Sequence, residues 1–173
     1  LFKGTFVFNE EKIVHNGAVM AILSNKKLKV FTNFNFNWQS LGKKHIIEKS
    51  HKNRVFTIDG KTMQEFYSYY LGDKILELLP MIGSEFPLIL TIDGLEVARV
   101  VTSKLDDGSM VFAGNIKEGT EVRLGYGNVQ LILEQASNNI NILDGKCVES
   151  LFMYSCGARK SLLKDNIDIE IKP

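Results

Sequence analysis

Two side chains that could do chemistry stand three positions apart late in the sequence, the thiol of Cys156 and the guanidinium of Arg159. They follow the apolar run 151–154, which predicts a strand that stops at a turn of small residues. If a helix begins at this turn, its free N–H groups and its dipole favour an anion. Arg159 could then hold a ligand carboxylate in a bidentate fork, or it could cap carbonyl oxygens or pair with a structural carboxylate.

The thiol of Cys156 has two interpretations. It is either a reactive, polar group at the start of the helix, or a small buried side chain that fills a corner between strand and helix. Nucleophilic catalysis would need a base, and no histidine lies near any expected neighbour of Cys156. We therefore expect that the protein is not an enzyme.

Two other residues could contact a ligand. Arg99 lies within the apolar stretch 95–101, where strand alternation points it either to solvent or into a pocket. Trp38 is the single tryptophan, and it either stacks on a ligand or partner or belongs to the edge of the core. The predicted ligand-binding residues are therefore Arg159, Cys156, Arg99 and Trp38.

The sequence offers little for a metal ion or a cofactor. His15, His45 and His51 lie in different predicted elements, and no pair has the spacing of metal ligands. Residues 125–128 resemble a phosphate loop only in part, since they lack its full glycine pattern and its lysine. We interpret them as a turn followed by a helix N-cap. No metal and no cofactor are expected.

The properties of the whole chain narrow the class of protein. Its 173 residues carry a formal net charge of +1 and are 45% hydrophobic, which fits one domain or two small fused halves. This charge does not favour nucleic acid or an anionic membrane, and no apolar run reaches the roughly 18 residues that span a bilayer. Two cysteines and the lack of a signal-peptide pattern predict a cytoplasmic location. The start at Leu1, without Met, indicates a piece of a longer protein.

Most of the predicted elements are strands, recognised by apolar alternation between polar or glycine-containing turns. A polar turn at 25–27 predicts a meander in the first part of the chain, and Asp93-Gly94 predicts a hairpin in the second. The predicted strands are residues 5–8, 17–23, 28–31, 45–49, 54–58, 86–90, 95–101, 110–112, 120–124 and 151–154.

The helices carry clear start and stop signals. Thr62 and Glu65 fit a capping box, and Gly72 stands where the first helix should end. Residues 74–79 predict a short continuation that ends at Pro80, and apolar spacing predicts another helix over 129–140. The expected fold class is α+β, a mainly antiparallel sheet with two or three helices packed on it.

An ordered series of short motifs resembles the FIST family, named for F-box and intracellular signal transduction proteins. The resemblance covers about residues 5–165, and the shared order is more specific than any single motif. The motifs are residues 36–42, 53–60, the helix with Phe66, Tyr67, Leu71 and Gly72, then 86–88, 98–100, 107–116, 118–124 and the Cys-x-x-Arg segment 155–159.

The resemblance implies that residues 1–60 are the tail of the N-terminal FIST part and residues 61–173 the C-terminal part without its final segment. It implies a sensory module that binds a small, amino-acid-like ligand in a bacterial, cytoplasmic signalling protein with an output domain. The alternative is a protein-interaction or scaffold domain without a small ligand, which would expose an apolar patch rather than form a pocket. Strand edges would allow homo-oligomer contacts.

Overall fold

The computed structural model describes residues 6–34, 36–136 and 143–171 of the chain. These belong to two compact units, Leu1–Thr32 and Asn33–Pro173. The division lies inside the stretch assigned above to the N-terminal FIST part. The predicted boundary between residues 60 and 61 stays a prediction.

The first unit contains one hairpin. Strands β1 (Phe6–Phe8) and β2 (Ile13–His15) pair antiparallel, which confirms the first predicted strand. The predicted strands 17–23 and 28–31 are wrong, because both stretches are irregular and exposed. Apolar alternation fits a strand only when a neighbouring strand takes up its N–H and C=O groups. The polar turn between them does form, with the Asn25 side chain accepting from the Lys27 N–H at 2.8 Å.

The second unit is built on one antiparallel sheet of eight strands, which confirms the α+β class. Its order is β7-β6-β10-β3-β4-β9-β8, with β5 paired to β4. Strands β7 and β8 are the first and the last strand of this order, yet only Val100 lies between them in sequence. The two edges of the sheet are therefore close together, which means that the sheet is strongly curved. The strands are β3 (Trp38–His51), β4 (Arg54–Ile58), β5 (Lys61–Thr62), β6 (Leu88–Ile92), β7 (Leu95–Arg99), β8 (Val101–Lys104), β9 (Met110–Phe112) and β10 (Glu121–Gly127).

Two glycines predicted to form a turn lie instead inside β10. A Cβ atom on Gly125 would come within 2.9 Å of the Ile89 side chain, and one on Gly127 within 2.6 Å of Leu162. These glycines therefore allow close packing rather than a change of direction. The N-cap prediction that accompanied the turn is correct, since the Asn128 side chain accepts from the Leu131 N–H at 3.1 Å.

The first helices confirm their local signals. In α1 (Met63–Leu71) both bonds of the predicted capping box form between Thr62 and Glu65. Gly72, with φ of 80°, ends α1 and directly precedes α2 (Asp73–Leu78), which stops before Pro80. A positive φ at this junction favours glycine.

The later helices differ more from expectation. Helix α3 (Val129–Ala136) begins as predicted, while its predicted end at residues 137–140 lies outside the described residues. The predicted strand 151–154 is wrong, because these residues are irregular and exposed. They precede α4 (Gly157–Leu163), a 3-10 turn (Lys164–Asn166) and α5 (Ile167–Ile171). Among the described residues, no helix combines the length and the apolar character needed to cross a membrane.

The sheet of the second unit has a hydrophobic cluster on each face. In β6, Leu88 and Leu90 belong to the larger cluster and Ile89 to the smaller one, as strand alternation requires. Helix α1 contributes Phe66 and Tyr67 to the larger cluster. Helices α3 and α4 complete the smaller cluster, whose buried members are Trp38, Ile89, Ile132, Leu162 and Leu163.

The hydroxyl of Tyr67 is a polar group inside the larger cluster. Tyr67 is fully buried, and its hydroxyl donates to the Phe86 carbonyl at 2.9 Å. Burial raises the pKa of Tyr67 far above its ordinary value. The phenol is therefore neutral at physiological pH and acts as a hydrogen-bond donor to the chain segment that leads into β6.

We expect Tyr67→Phe to lower the free energy of unfolding by about 1–2 kcal/mol, because it leaves the buried Phe86 carbonyl without its donor. Urea unfolding at neutral pH would measure the change. Tyr69→Phe is the matched control, since Tyr69 is adjacent and mostly exposed. Equal stability of Tyr67→Phe and the unsubstituted protein would contradict the assignment.

Candidate functional site

The structure brings two of the predicted residues together. Arg159, in the first turn of α4, is only 6% exposed and lies with its guanidinium carbon 5.5 Å from the centroid of the Trp38 ring. Its Nη1 donates to the Phe36 carbonyl at 3.1 Å. The Trp38 indole N–H in turn donates to the Ser84 carbonyl at 2.9 Å. Arg159 thus donates to a carbonyl oxygen, as one interpretation expected, and its guanidinium also lies near an aromatic ring, which was not expected.

Cys156 lies in different surroundings from Arg159. It is the N-cap residue of α4 and is exposed, and its carbonyl accepts from the Lys160 N–H at 3.0 Å. The interpretation of Cys156 as a buried corner side chain is therefore wrong. The reason is that the preceding residues 151–154 form no strand against which such a corner could pack.

Arg99 lies apart from the other candidates. It ends β7, which is separated from β3 in the sheet order by the two strands β6 and β10. Its Nε donates to the Asn115 carbonyl at 3.4 Å. A Cβ atom on Gly114 would come within 2.8 Å of that nitrogen, so the side chain lies close against the backbone. A contact of Arg99 with a ligand stays a prediction.

A cleft adjoins the Trp38 cluster at the end of β10. It has a volume of about 520 Å³ and lies between the start of α3 and the junction of α4 with the 3-10 turn. Leu162 and Leu163 line the cleft and also belong to the cluster that contains Trp38. Charges of both signs line it, from Glu85, Lys164 and Asp165, and the amides Asn128, Gln130 and Asn166 add neutral polar groups.

Sequence analysis singled out residues 126–128 of this cleft only as part of a turn and helix N-cap, and it did not predict the charged residues of the lining. Lys164 and Asp165 have no motif around them, and Glu85 precedes β6 in a turn-rich stretch. A second groove of about 650 Å³ runs along α1, lined by residues that include Gln64, Ser68 and Tyr69. It is the larger of the two but lies more open to solvent and away from the predicted residues, so the cleft at α4 is the better candidate for a small ligand.

A hydrogen-bonded chain of three side chains was also missed. His45 is 3% exposed, and its Nδ1 lies 2.7 Å from Asp59 Oδ2 while its Nε2 lies 3.0 Å from the Tyr70 hydroxyl. The other Asp59 oxygen accepts from the Ile46 N–H at 2.9 Å. The available signals were the alternation of His45 with Ile47 in a strand and the position of Tyr70 one turn after Phe66, but neither links the three residues.

Asp59 is the charged end of this chain. The hydrogen bond from the Ile46 N–H lowers the pKa of the Asp59 carboxyl, and the bond to His45 and the positive charge of Lys43 act in the same direction, while partial burial opposes them. Asp59 is therefore ionised at neutral pH. Among the described residues, no group of three or more His, Cys, Asp or Glu side chains is arranged to hold a metal ion.

We expect Arg159→Met to lower the free energy of unfolding by about 1–3 kcal/mol, because it removes a charged donor to the Phe36 carbonyl and the cation–π contact. Cys156→Ser, three residues away on an exposed position, should stay within about 0.5 kcal/mol. Urea unfolding would measure both. An Arg159→Met variant as stable as the unsubstituted protein would show that this contact does not hold α4.

A carboxyl whose pKa is lowered by folding stabilises the fold above its ordinary pKa and loses that effect as the pH falls. For Asp59 the loss should occur below about pH 4. We expect the free energy of unfolding to fall less steeply with acid in Asp59→Asn than in the unsubstituted protein. Part of the slope should remain, because folding also lowers the pKa values of Glu65 and Asp107. Urea unfolding between pH 6 and 3 would test this, and identical slopes would refute it.

Comparison with known proteins gives one family. The FIST N domain matches residues 1–61 and the FIST C domain matches residues 64–173, so the second match alone covers well over half of the chain. No curated protein and no solved structure matches significantly. FIST domains are sensory domains of signal transduction proteins. These matches confirm the resemblance that the ordered motifs indicated, and the chain belongs to the FIST family.

Proposed function

We propose that this chain is a small-ligand-binding sensory module and that its ligand is an amino-acid-like zwitterion. The observation that carries the proposal is the cleft at α4, which presents charges of both signs beside the smaller hydrophobic cluster that contains Trp38. A zwitterion carries a carboxylate and an ammonium group, so it can interact with a positive and a negative side chain of the cleft at the same time.

The positive side of the cleft would receive the carboxylate. Lys164 supplies a full charge there. The first turn of α3 adds backbone N–H groups that have no acceptor within the helix, and they lie at the positive end of the helix dipole. Asn128, which caps this turn through the Leu131 N–H, holds these groups in place at the cleft wall.

The negative side would receive the ammonium group. Glu85 and Asp165 are the two carboxylates that line the cleft, and Tyr126 adds an aromatic ring. Arg159 and Trp38 lie behind this wall rather than in it, where they fix the helix that carries Leu162 and Leu163. In this proposal they shape the site, while the more distant Arg99 and the exposed Cys156 have no part in it.

The proposed module acts in the cytoplasm of a bacterium, catalyses no reaction, and passes its bound or free state to an output domain. A second candidate is a protein-interaction domain. It is favoured by the exposed apolar side chains of Leu151, Phe152 and Met153, which lie next to one another in an irregular segment. Such a run is typical of a surface that a partner covers.

Thermal-shift measurement with the free amino acids would test the proposal. A ligand at 100 times its Kd stabilises the folded state by about 2.7 kcal/mol, which should raise the melting temperature by several degrees. Lys164→Gln should weaken binding about tenfold, whereas Lys160→Gln, four residues earlier in α4 and outside the cleft, should leave it unchanged.

The outcomes separate the two candidates. If no amino acid shifts the melting temperature, the zwitterion proposal is wrong. Equal weakening by Lys164→Gln and Lys160→Gln would place the ligand outside the cleft. Capture of a defined output domain that is lost when Phe152 and Met153 are replaced by Ser would favour the interaction domain instead.

A further inference from the structure

The hydrogen-bonded chain Asp59–His45–Tyr70 lies outside the proposed ligand cleft. The donor and the acceptor of each of its two hydrogen bonds can be assigned. Asp59 is ionised and can only accept hydrogen bonds, so the His45 ring must donate from Nδ1 to Asp59 Oδ2, 2.7 Å away. A neutral imidazole with its proton on Nδ1 has a lone pair on Nε2. In the neutral form of the ring, the Tyr70 hydroxyl, 3.0 Å from Nε2, is the donor of the second bond.

The surroundings leave the chain open at Tyr70. His45 is enclosed by the edges of Phe66 and Tyr70, whose ring centroids lie 4.9 Å and 5.3 Å from its own. Tyr70 is 37% exposed, so a reagent in solution can reach its ring. A buried base in contact with an accessible phenol is the arrangement that activates side-chain nucleophiles in proteins.

Three other charged groups lie near this hydrogen-bonded chain. The Lys43 ammonium lies 4.0 Å from Asp59 Oδ2, at the far end from Tyr70. Next to His45 in sequence, Lys44 pairs with Glu121 of β10 at 2.6 Å. On α1, the Glu65 carboxylate accepts from Thr62 in the capping box. None of these contacts involves His45 Nε2.

We propose that Tyr70 is a base-assisted nucleophile, a site of covalent modification by small acyl-type electrophiles that carry a leaving group. In the reaction, the phenolic oxygen forms a bond to the electrophilic centre, and the leaving group departs with the electron pair of its own bond. The phenolic proton passes to His45 Nε2. Asp59 stabilises the resulting imidazolium, which afterwards returns the proton to water.

Three other exposed tyrosines make this proposal measurable without any substitution. Tyr154 is 93% exposed, Tyr69, adjacent to Tyr70, is 72% exposed, and Tyr126 is 39% exposed. Tyr69 and Tyr126 contact rings and a lysine rather than a histidine. If exposure alone sets reactivity, Tyr154 and Tyr69 react before Tyr70, whereas a base at Nε2 makes Tyr70 react first.

The test is labelling of the whole chain with a limiting amount of an arylsulfonyl fluoride at neutral pH, with mass-spectrometric assignment of each modified tyrosine. The reagent reacts by the proposed step, with the sulfonyl group bound to oxygen and fluoride as the leaving group. We expect Tyr70 to react at least about tenfold faster than Tyr69, Tyr126 and Tyr154, since a positioned base typically contributes 10²-fold or more. Labelling of Tyr69 or Tyr154 at an equal or higher rate overturns the proposal.

Asp59→Asn separates activation from mere packing. Residue 59 has φ of 47°, which asparagine tolerates well. The asparagine oxygen can still accept from the Ile46 N–H, but its amide group would donate to His45 Nδ1 and move the ring proton to Nε2. His45 would then donate to Tyr70 and could no longer accept its proton.

Labelling of Tyr70 should fall roughly 10²-fold in Asp59→Asn, while labelling of Tyr69 stays the same and the circular dichroism spectrum is retained. An unchanged rate of Tyr70 labelling in the folded variant would mean that the hydrogen-bonded chain has only a structural role. If the variant does not fold, the comparison of Tyr70 with Tyr69, Tyr126 and Tyr154 in the unsubstituted protein decides alone. The result is independent of ligand binding at α4, because none of the three residues lines that cleft.

Discussion

The antiparallel pairing of β3 with β10 positions both chemical sites of the second unit. Trp38, the first residue of β3, pairs with Gly127, and His45, halfway along the strand, pairs with Val122. Seven residues separate these positions, which corresponds to roughly 23 Å of extended chain. A change in the register of this ladder would therefore disturb the wall of the ligand cleft and the base beside Tyr70 together.

The sequence predicted the features that depend on a few neighbouring residues. The capping box at Thr62, the Asp93-Gly94 turn and the Asn128 cap are all satisfied within three or four positions, so their patterns suffice. The predicted strands 17–23, 28–31 and 151–154 failed because a strand depends on a partner that its own pattern cannot specify. The role of Gly125 and Gly127 was misread for a similar reason, since the neighbours that require them, Ile89 and Leu162, are distant in sequence.

The candidate sites show the same limit. Trp38 and Arg159 could be selected by residue type, but their contact joins the two ends of the second unit. The hydrogen-bonded chain through His45 joins residues 14 and 25 positions apart, in a strand, a turn and a helix. Each member alone fits an ordinary role: a strand histidine, a turn aspartate and a tyrosine on the apolar face of a helix. Only the fold turns them into one hydrogen-bonded unit.

The hydrogen bond from Arg159 to the Phe36 carbonyl links residues 123 positions apart. Closing so long a loop has a large entropic cost, which the chain recovers only after the intervening sheet has formed. We therefore expect α4 to dock late in folding and to be among the first elements to detach in partial opening. Helix α4 has only seven residues and covers part of the smaller hydrophobic cluster. Its detachment would expose this cluster to solvent, so the two faces of the sheet differ in how readily they open.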